Sequence, residues 1–439
     1  MYSQESKIIY GWGMNTQTTA TVFSADTQED IPLVLGKVQK IIPRGNGLSY
    51  GDASLQKTVF NTLHLNRIIS FDIQFGIIQV QSGVTLTNLL AHIVPAGFIL
   101  PVIPGTKYVT VGGAIAANIH GKNHPSQGSF SKWVLAMEIL LANGDIVACS
   151  PDRNRELYVN TCGGMGLTGI ILNATLHLVN ISTAYLLQSQ LVIRSWHQLY
   201  EGLLANTDYP YKVAWLDLLN RRKDGAIHSV LSRGRPVGYD QLQKAYRSQP
   251  LFYREIIKIS SGGFSVDLMH TSIQSWLHQA KLWSARYNQG EKIVHLNDFF
   301  FPLDQIPFWN RCFGKAGLYQ YQCVLPLKTS YHGFAQIFAL IKSAGVPVFL
   351  ATMKLFGPTT SASPLSFPME GFTLALDFKA SPSALNLMTA LDQIVLAGQG
   401  RVYLAKDARL SPEVFRKMYP DAVADRTLFR SLLAERLNL

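Results

Sequence analysis

The sequence predicts an α+β protein of two domains, and three observations carry that prediction. Its 439 residues amount to roughly two or three ordinary domains, with ample volume for a core. The first part, to about residue 180, is rich in β-branched runs separated by glycine-dense turns. From there to about Gly400, strands alternate with longer helices, as in an antiparallel sheet covered on one face.

Composition narrows the class. Hydrophobic residues at 47% with only 15% charged describe a globular chain. The net charge of +11 favours an anionic partner, whether nucleic acid, an anionic lipid surface or a phosphorylated ligand, without naming it. Basic residues are dispersed; the one tight run, Arg221-Arg222-Lys223, stands beside Asp224-Gly225 and is expected to be a solvated hairpin tip. The cysteines Cys149, Cys162, Cys312 and Cys323 form no CxxC pair, so neither a disulfide framework nor a metal is expected. The N-terminus lacks the basic and apolar blocks of a signal peptide, and no apolar run reaches about 18 residues. No membrane span is expected, and the expected location is cytoplasmic.

Taken in order, Gly11-Trp12-Gly13 reads as a turn with a buried aromatic. The apolar Ile41-Ile42 then leads into Arg44-Gly45-Asn46-Gly47-Leu48-Ser49-Tyr50-Gly51-Asp52, a loop with polar groups and close backbone approach to offer. Its spacing is not a dinucleotide fingerprint, and no helix-forming run follows it. Strands are expected from Ile68, and a short helix over Thr87 to Val94. The segment Pro101–Gly128 contains the largely β-branched Tyr108-Val109-Thr110-Val111, read as extended, then Gly112-Gly113, a helix-tolerant alanine run and His120-Gly121-Lys122-Asn123-His124. A helix starting at the glycines would offer free N–H groups to an anion, with His120 and Lys122 beside it. The plainer reading is a strand–turn–helix joint with a basic tip. Val134 to Cys149 reads as a hairpin about Asn143-Gly144. Gly164, Gly166 and Gly169 match G-x-G-x-x-G, but the alternating run IILNATLHLV that follows is a strand where a Rossmann unit needs a helix. Beyond Asn180 the strands are YKVAWLDL, LYQYQCVLP, PVFLATMKLF and GFTLALDF, with helices over Thr271–Asn288, Tyr331–Ser343 and Ser383–Ala397. A short strand at Arg401 and a helix from Pro412 close the chain.

Three glycine turns without Rossmann topology suggest an elongated, phosphate-bearing cofactor held mainly by backbone. In this setting RGNGLSYGD, PGTKYVTVGGAIAANIHGKNH and GGMGLTGI, followed by QYQCVLP, KLFGP, PLSFP and YLAKD, resemble flavoproteins of the vanillyl-alcohol oxidase type. Within that group they resemble the decaprenylphosphoryl-ribose 2′-oxidases, in order over nearly the whole chain. The resemblance implies a PCMH-type FAD-binding domain at 1–180, completed by 401–439, and a substrate domain with an antiparallel sheet at 181–400. It implies oxidation of the 2′-hydroxyl of a polyprenylphosphoryl ribose to the keto sugar, which a partner short-chain reductase would carry on to the arabinose donor of the cell envelope. FAD would be held by Arg44, Gly45, Asn46, Gly47, Leu48, Ser49 and Tyr50 of the first turn. The second stretch would add Gly105, Thr106, Thr110, Gly112, Gly113, Asn118 and His120, the third Gly169 and Ile170, and the C-terminal part Tyr403. Leu48-Ser49 stands where many relatives bond a histidine to FAD, so the cofactor is expected to be non-covalent.

Alcohol oxidation on a flavin needs a hydride path and a group to take the hydroxyl proton. Lys406 is the first candidate, as a base or as a cation beside the reduced ring; its alternative is a surface lysine paired with Asp407. His120 and Tyr50 would complete the polar shell, or be structural hydrogen-bonding groups. Alternation puts Gln320 and Gln322 on one strand face and the aromatics Tyr319 and Tyr321 on the other, an amide face that a core does not require. Lys354, inside an apolar strand, wants an anionic partner, either a salt bridge or a substrate or cofactor phosphate. Trp215 is pocket wall or core. Ala375 stands where nitroaromatic-trapped relatives carry a reactive cysteine, and Thr373 where asparagine is usual, so covalent trapping is not expected. An aldonolactone or alditol oxidase using oxygen is the other enzyme reading, and a flavin-free binding protein built on the fold a further one. A nucleic-acid-binding protein would explain the charge but not the glycine turns, so nucleic acid is not the expected partner; peripheral contact with the inner membrane face is.

Overall fold

The computed structural model describes residues 2–25, 27–219, 227–254, 267, 271–288, 290–306, 308–359, 362–423 and 428–439. The run Arg221-Arg222-Lys223, expected at a hairpin tip, lies outside them. The architecture is mixed α+β, as the sequence predicts. A four-stranded sheet pairs Tyr2–Tyr10 with Gln17–Ala25 antiparallel, then adds Thr58–Asn61 and Ile42–Arg44 in parallel. A five-stranded antiparallel sheet follows in the order Ile68–Asp72, Ile77–Gln81, Ile170–His177, Val134–Leu140, Ile146–Cys149. Its last two strands are the expected hairpin, with Gly144 at φ +90° in the turn. Ile170–His177 confirms that the third glycine turn leads into a strand.

The extended run expected at Tyr108–Val111 is corrected. Only an isolated bridge, Thr85 to Thr110, forms there, and a helix starts at Val111 and runs to Ala116. Thr110 ends the extended chain because its Oγ1 accepts the Gly113 N–H at 3.2 Å, the ordinary act of an N-cap. Its branched side chain serves the helix entry instead of a ladder.

The eight-stranded sheet is antiparallel throughout. Its order is Glu291–His295, Tyr185–Ile193, His228–Pro236, Tyr211–Asp217, Leu350–Phe356, Gly371–Lys379, Leu318–Pro326, Arg401–Val402. One face packs on the helices Leu327–Ala344 and Pro382–Ala397. The first of these buries Phe334, Ile337, Phe338 and Ile341, a stripe at helical spacing, and stops at Gly345 in the left-handed region. Gly333 lets it approach closely, since a Cβ there would lie 2.6 Å from Leu325 Cδ1. Odd-numbered Tyr321, Cys323 and Leu325 fill this core, which turns Gln320 and Gln322 to the other face.

The C-terminal segment returns to the first sheet. Ile41 N–H donates to Leu428 O, and Arg430 N–H to Ile41 O, both at 2.9 Å. Arg436 clamps Asp52 through two 2.8 Å bonds and reaches Asp407 at 2.9 Å. Among the described residues no helix is long and apolar enough to cross a membrane.

Candidate active site

The three glycine turns abut. Asn46 Nδ2 donates to Tyr108 O at 2.9 Å, and a Cβ on Gly45 would fall 2.3 Å from Thr110 Oγ1. Gly163 N–H donates to Ile115 O and Met165 N–H to Ala116 O, each at 2.9 Å, which joins the third turn to the Val111–Ala116 helix. Tyr50 N–H donates to Ala405 O at 3.0 Å, so the first turn also carries the Lys406 segment. The later motifs lock into the same place. His124 Nδ1 accepts from Gly357 N–H at 3.1 Å and its Nε2 lies 3.0 Å from Ser129 Oγ, with burial pulling its pKa down to about 4. Phe367 stacks on Tyr403, whose hydroxyl donates to Ala117 O at 2.8 Å.

The free face of the large sheet completes the site. Cross-strand partners share a face, and one rung of the ladder runs Trp215, Thr352, Ala375, Gln322. Neighbouring rungs add Lys354 beside Thr373 and Gln320 beside Asp377. The predicted Trp215, Gln320, Gln322, Lys354, Thr373 and Ala375 therefore stand on one surface. Trp215 itself is only 5% exposed, packed edge-on against His278 of the helix Thr271–Tyr287.

His120 meets this surface. Gln322 Nε2 donates to its Nε2 and to Thr373 Oγ1, both at 3.1 Å, which leaves the ring proton on Nδ1. That Nδ1 has no partner among the described residues. Phe356, Phe367 and Tyr403 wall the ring. Burial, then the nearby lysines and His124, hold its pKa well below the usual histidine range, so the imidazole is neutral.

Lys406 is not the surface partner of Asp407, whose carboxylate is taken by Arg436 and by the Arg409 and Leu410 N–H groups. Its Nζ lies 3.9 Å over the Tyr50 ring. Burial lowers its pKa, Asp377 opposes that, and Lys354 adds to it. Asp377 is a site residue the predicted set omits. It is fully buried, accepts from Gln320 Nε2 through Oδ1, and leaves Oδ2 without a partner among the described residues. Burial raises its pKa, against the pull of Gln320 and Lys406. Its signal was the same alternation that marks Thr373 and Ala375. Gln320 also donates to Tyr50 Oη at 3.2 Å. Lys354 is pulled down by burial to about 8, and no carboxylate among the described residues pairs with it.

Other predicted residues are engaged by the chain itself. The Arg44 guanidinium donates to Ser54 O, Ser54 Oγ and Tyr10 O. Asn118 donates to Ser366 Oγ and accepts from Ser131 N–H. Ile170 is core, Gly169 is buried beside Leu140, and Leu48 and Ser49 are half-buried. Lys122, expected beside His120, turns instead to the carbonyls of Phe299 and Phe300. An amine there donates to acceptors left free at the end of the Leu296–Phe300 helix, and burial lowers its pKa to about 7.

These residues fit an FAD group. A buried imidazole N–H waits unpartnered at the junction of the turns. A Cβ on Gly105 would meet nothing, and Gly113 is exposed at the first turn of its helix.

Comparison with known proteins agrees. Residues 20–150 match the family described as FAD binding domain. The chain is 35% identical to decaprenylphosphoryl-beta-D-ribose oxidase of Mycolicibacterium smegmatis, over 99% of this chain and 98% of that one. It is 30% identical to an uncharacterized protein in the mprA 5′ region of Streptomyces coelicolor, over 81% of this chain and 100% of that one. L-gulonolactone oxidase of Bos taurus is 31% identical over only 26% of each chain.

Proposed function

The chain belongs to the decaprenylphosphoryl-ribose oxidase family of FAD-dependent oxidoreductases, and from that premise we propose that it oxidises the 2′-hydroxyl of a polyprenylphosphoryl ribose to the 2′-ketone. Residues 1–180 with 401–439 form its FAD domain, and 181–400 its substrate domain. Bound FAD supplies the acceptor for the hydride leaving the 2′ carbon. Lys406, neutral for part of the time because burial and Lys354 disfavour its charge, takes the hydroxyl proton. His120 is a donor in this scheme, since Gln322 occupies its Nε2 and Nδ1 holds the proton. It offers that N–H to the flavin or to the developing ketone oxygen. Gln320 holds Tyr50 and Asp377 beside Lys406. Lys354 receives the substrate phosphate, and it is the observation that carries this reading. A half-buried cation that no carboxylate among the described residues pairs with, near enough to the proposed base to act on its charge, suits a phosphorylated sugar better than a free one.

The cofactor is held non-covalently in this reading, which the make-up of the first and third turns supports. No histidine stands in the first, and Cys162, in the third, is fully buried with its thiol pushed up to about 12. A short-chain reductase would consume the ketone, with the enzyme working at the inner membrane face. The test is anaerobic mixing with prenylphosphoryl ribose, free alditols and aldonolactones. Bleaching by the first is expected; bleaching by free alditols or lactones alone would give the site to an aldonolactone or alditol oxidase. Acid precipitation should leave FAD in the supernatant.

A further inference from the structure

The helix Thr271–Tyr287 lies on the substrate face of the large sheet, with His278, Leu282 and Ala285 turned inward onto Trp215 and Val230. Its outer side is not the polar surface that a solvated helix presents. Ile273 is 50% exposed, Trp276 69%, Leu277 44%, Trp283 66% and Tyr287 78%. At 3.6 residues per turn these five fall within an arc of about 120°. Trp283 and Tyr287 stack on each other in the open, ring centroids 5.6 Å apart. The helix contains no Asp or Glu; its ammonium and guanidinium groups are those of Lys281 and Arg286.

We propose that this side of the helix is a docking surface for an anionic lipid bilayer, on which the helix lies in the interfacial plane. Tryptophan and tyrosine settle at headgroup depth, where an apolar ring and a polar N–H or O–H are both satisfied. A carboxylate-free helix in a chain of net charge +11 is complementary to lipid phosphates. A second copy of the chain would bring two such basic helices together with no acid on either to pair. The position adds a reason that rests on the lipid-substrate reading. Lys281 Nζ lies 4.7 Å over the ring of Trp215, which shares its rung with Ala375 and Gln322. A bilayer under this helix delivers a polyprenyl phosphate at the edge of the substrate face.

The experiment is flotation of the holoenzyme with vesicles of phosphatidylcholine alone and of phosphatidylcholine with phosphatidylglycerol, beside the variant Trp276→Ala/Trp283→Ala/Tyr287→Ala. The native enzyme is expected to float with the anionic vesicles, and the triple variant to bind at least tenfold more weakly with unchanged melting. Arg286→Glu, which leaves the aromatic side intact, is expected to weaken anionic binding about fivefold or more. Failure of the native enzyme to float, or equal flotation of the triple variant, overturns the proposal. A native dimer that the triple variant turns into monomer overturns it in favour of self-association. Reduction by a water-soluble short-chain phosphoribose separates the two claims. If that substrate fails to bleach the flavin while vesicles still bind, the substrate reading falls and the docking surface stands.

Discussion

Asp377→Asn probes the proposed base without touching it. The carboxylate favours the charged form of Lys406, while burial and Lys354 disfavour it. Asparagine keeps an oxygen for the Gln320 amide, so the strand pair is preserved. At an effective dielectric of about 20, opposite unit charges a little beyond contact attract by about 3 kcal/mol, which bounds the attraction lost. That corresponds to about two pKa units as an upper bound. Because Asp377 is itself held partly protonated by burial, about one unit is the working figure. The sign is set: removing a negative neighbour lowers the Lys406 pKa, so more of it is neutral at low pH. The acid limb of kcat/KM, which reports the base in the free enzyme, should move down by about one unit. The plateau should fall a few-fold, since a weaker base has less drive to take the proton. Stopped-flow flavin bleaching from pH 5.5 to 9 measures both. Removing the like charge in Lys354→Met should move the same limb upward. An acid limb that stays in place in Asp377→Asn, or moves up, would refute the assignment of Lys406 as the base.

Three further expectations are simpler. Lys406→Ala should slow bleaching by about 10²–10⁴-fold with FAD still bound, and turnover equal to the native enzyme would remove the residue from the mechanism. Lys354→Met should raise KM for the phosphorylated sugar by about 10–100-fold, the worth of one charge-assisted contact, and leave an unphosphorylated sugar unaffected; equal loss on both would deny the phosphate contact. Arg436→Met leaves Asp52 and Asp407 without their guanidinium, and should cost about 3–5 kcal/mol, read as a fall in Tm of several degrees with unchanged cofactor stoichiometry.

What the sequence made legible here was local, and what it hid was long-range. Alternation in Tyr319–Cys323 was enough to place Gln320 and Gln322 on one face, because a strand has period two wherever it lies. The same rule, continued two residues past Ala375, reaches Asp377. In sequence alone, an acid near the end of an apolar strand equally fits the turn to solvent. Only the rung that sets it beside Gln320 shows it buried. Tyr108–Val111 misled for a related reason. β-branched residues favour strands on average, but a threonine one residue before a helix caps it, and the cap prevailed. Lys406 and Asp407 show the limit best. Adjacent in sequence, they allow an ion pair as the alternative to a role for Lys406 at the cofactor, yet Asp407 is claimed by Arg436 from the end of the chain. Nothing in the spacing announces that contact. The C-terminal helix therefore fixes the segment that carries Lys406 through Asp407. Arg436 and the Arg409 and Leu410 N–H groups take up Asp407, and the carboxylate that acts on Lys406 is Asp377, which lies beside Gln320 in the sheet.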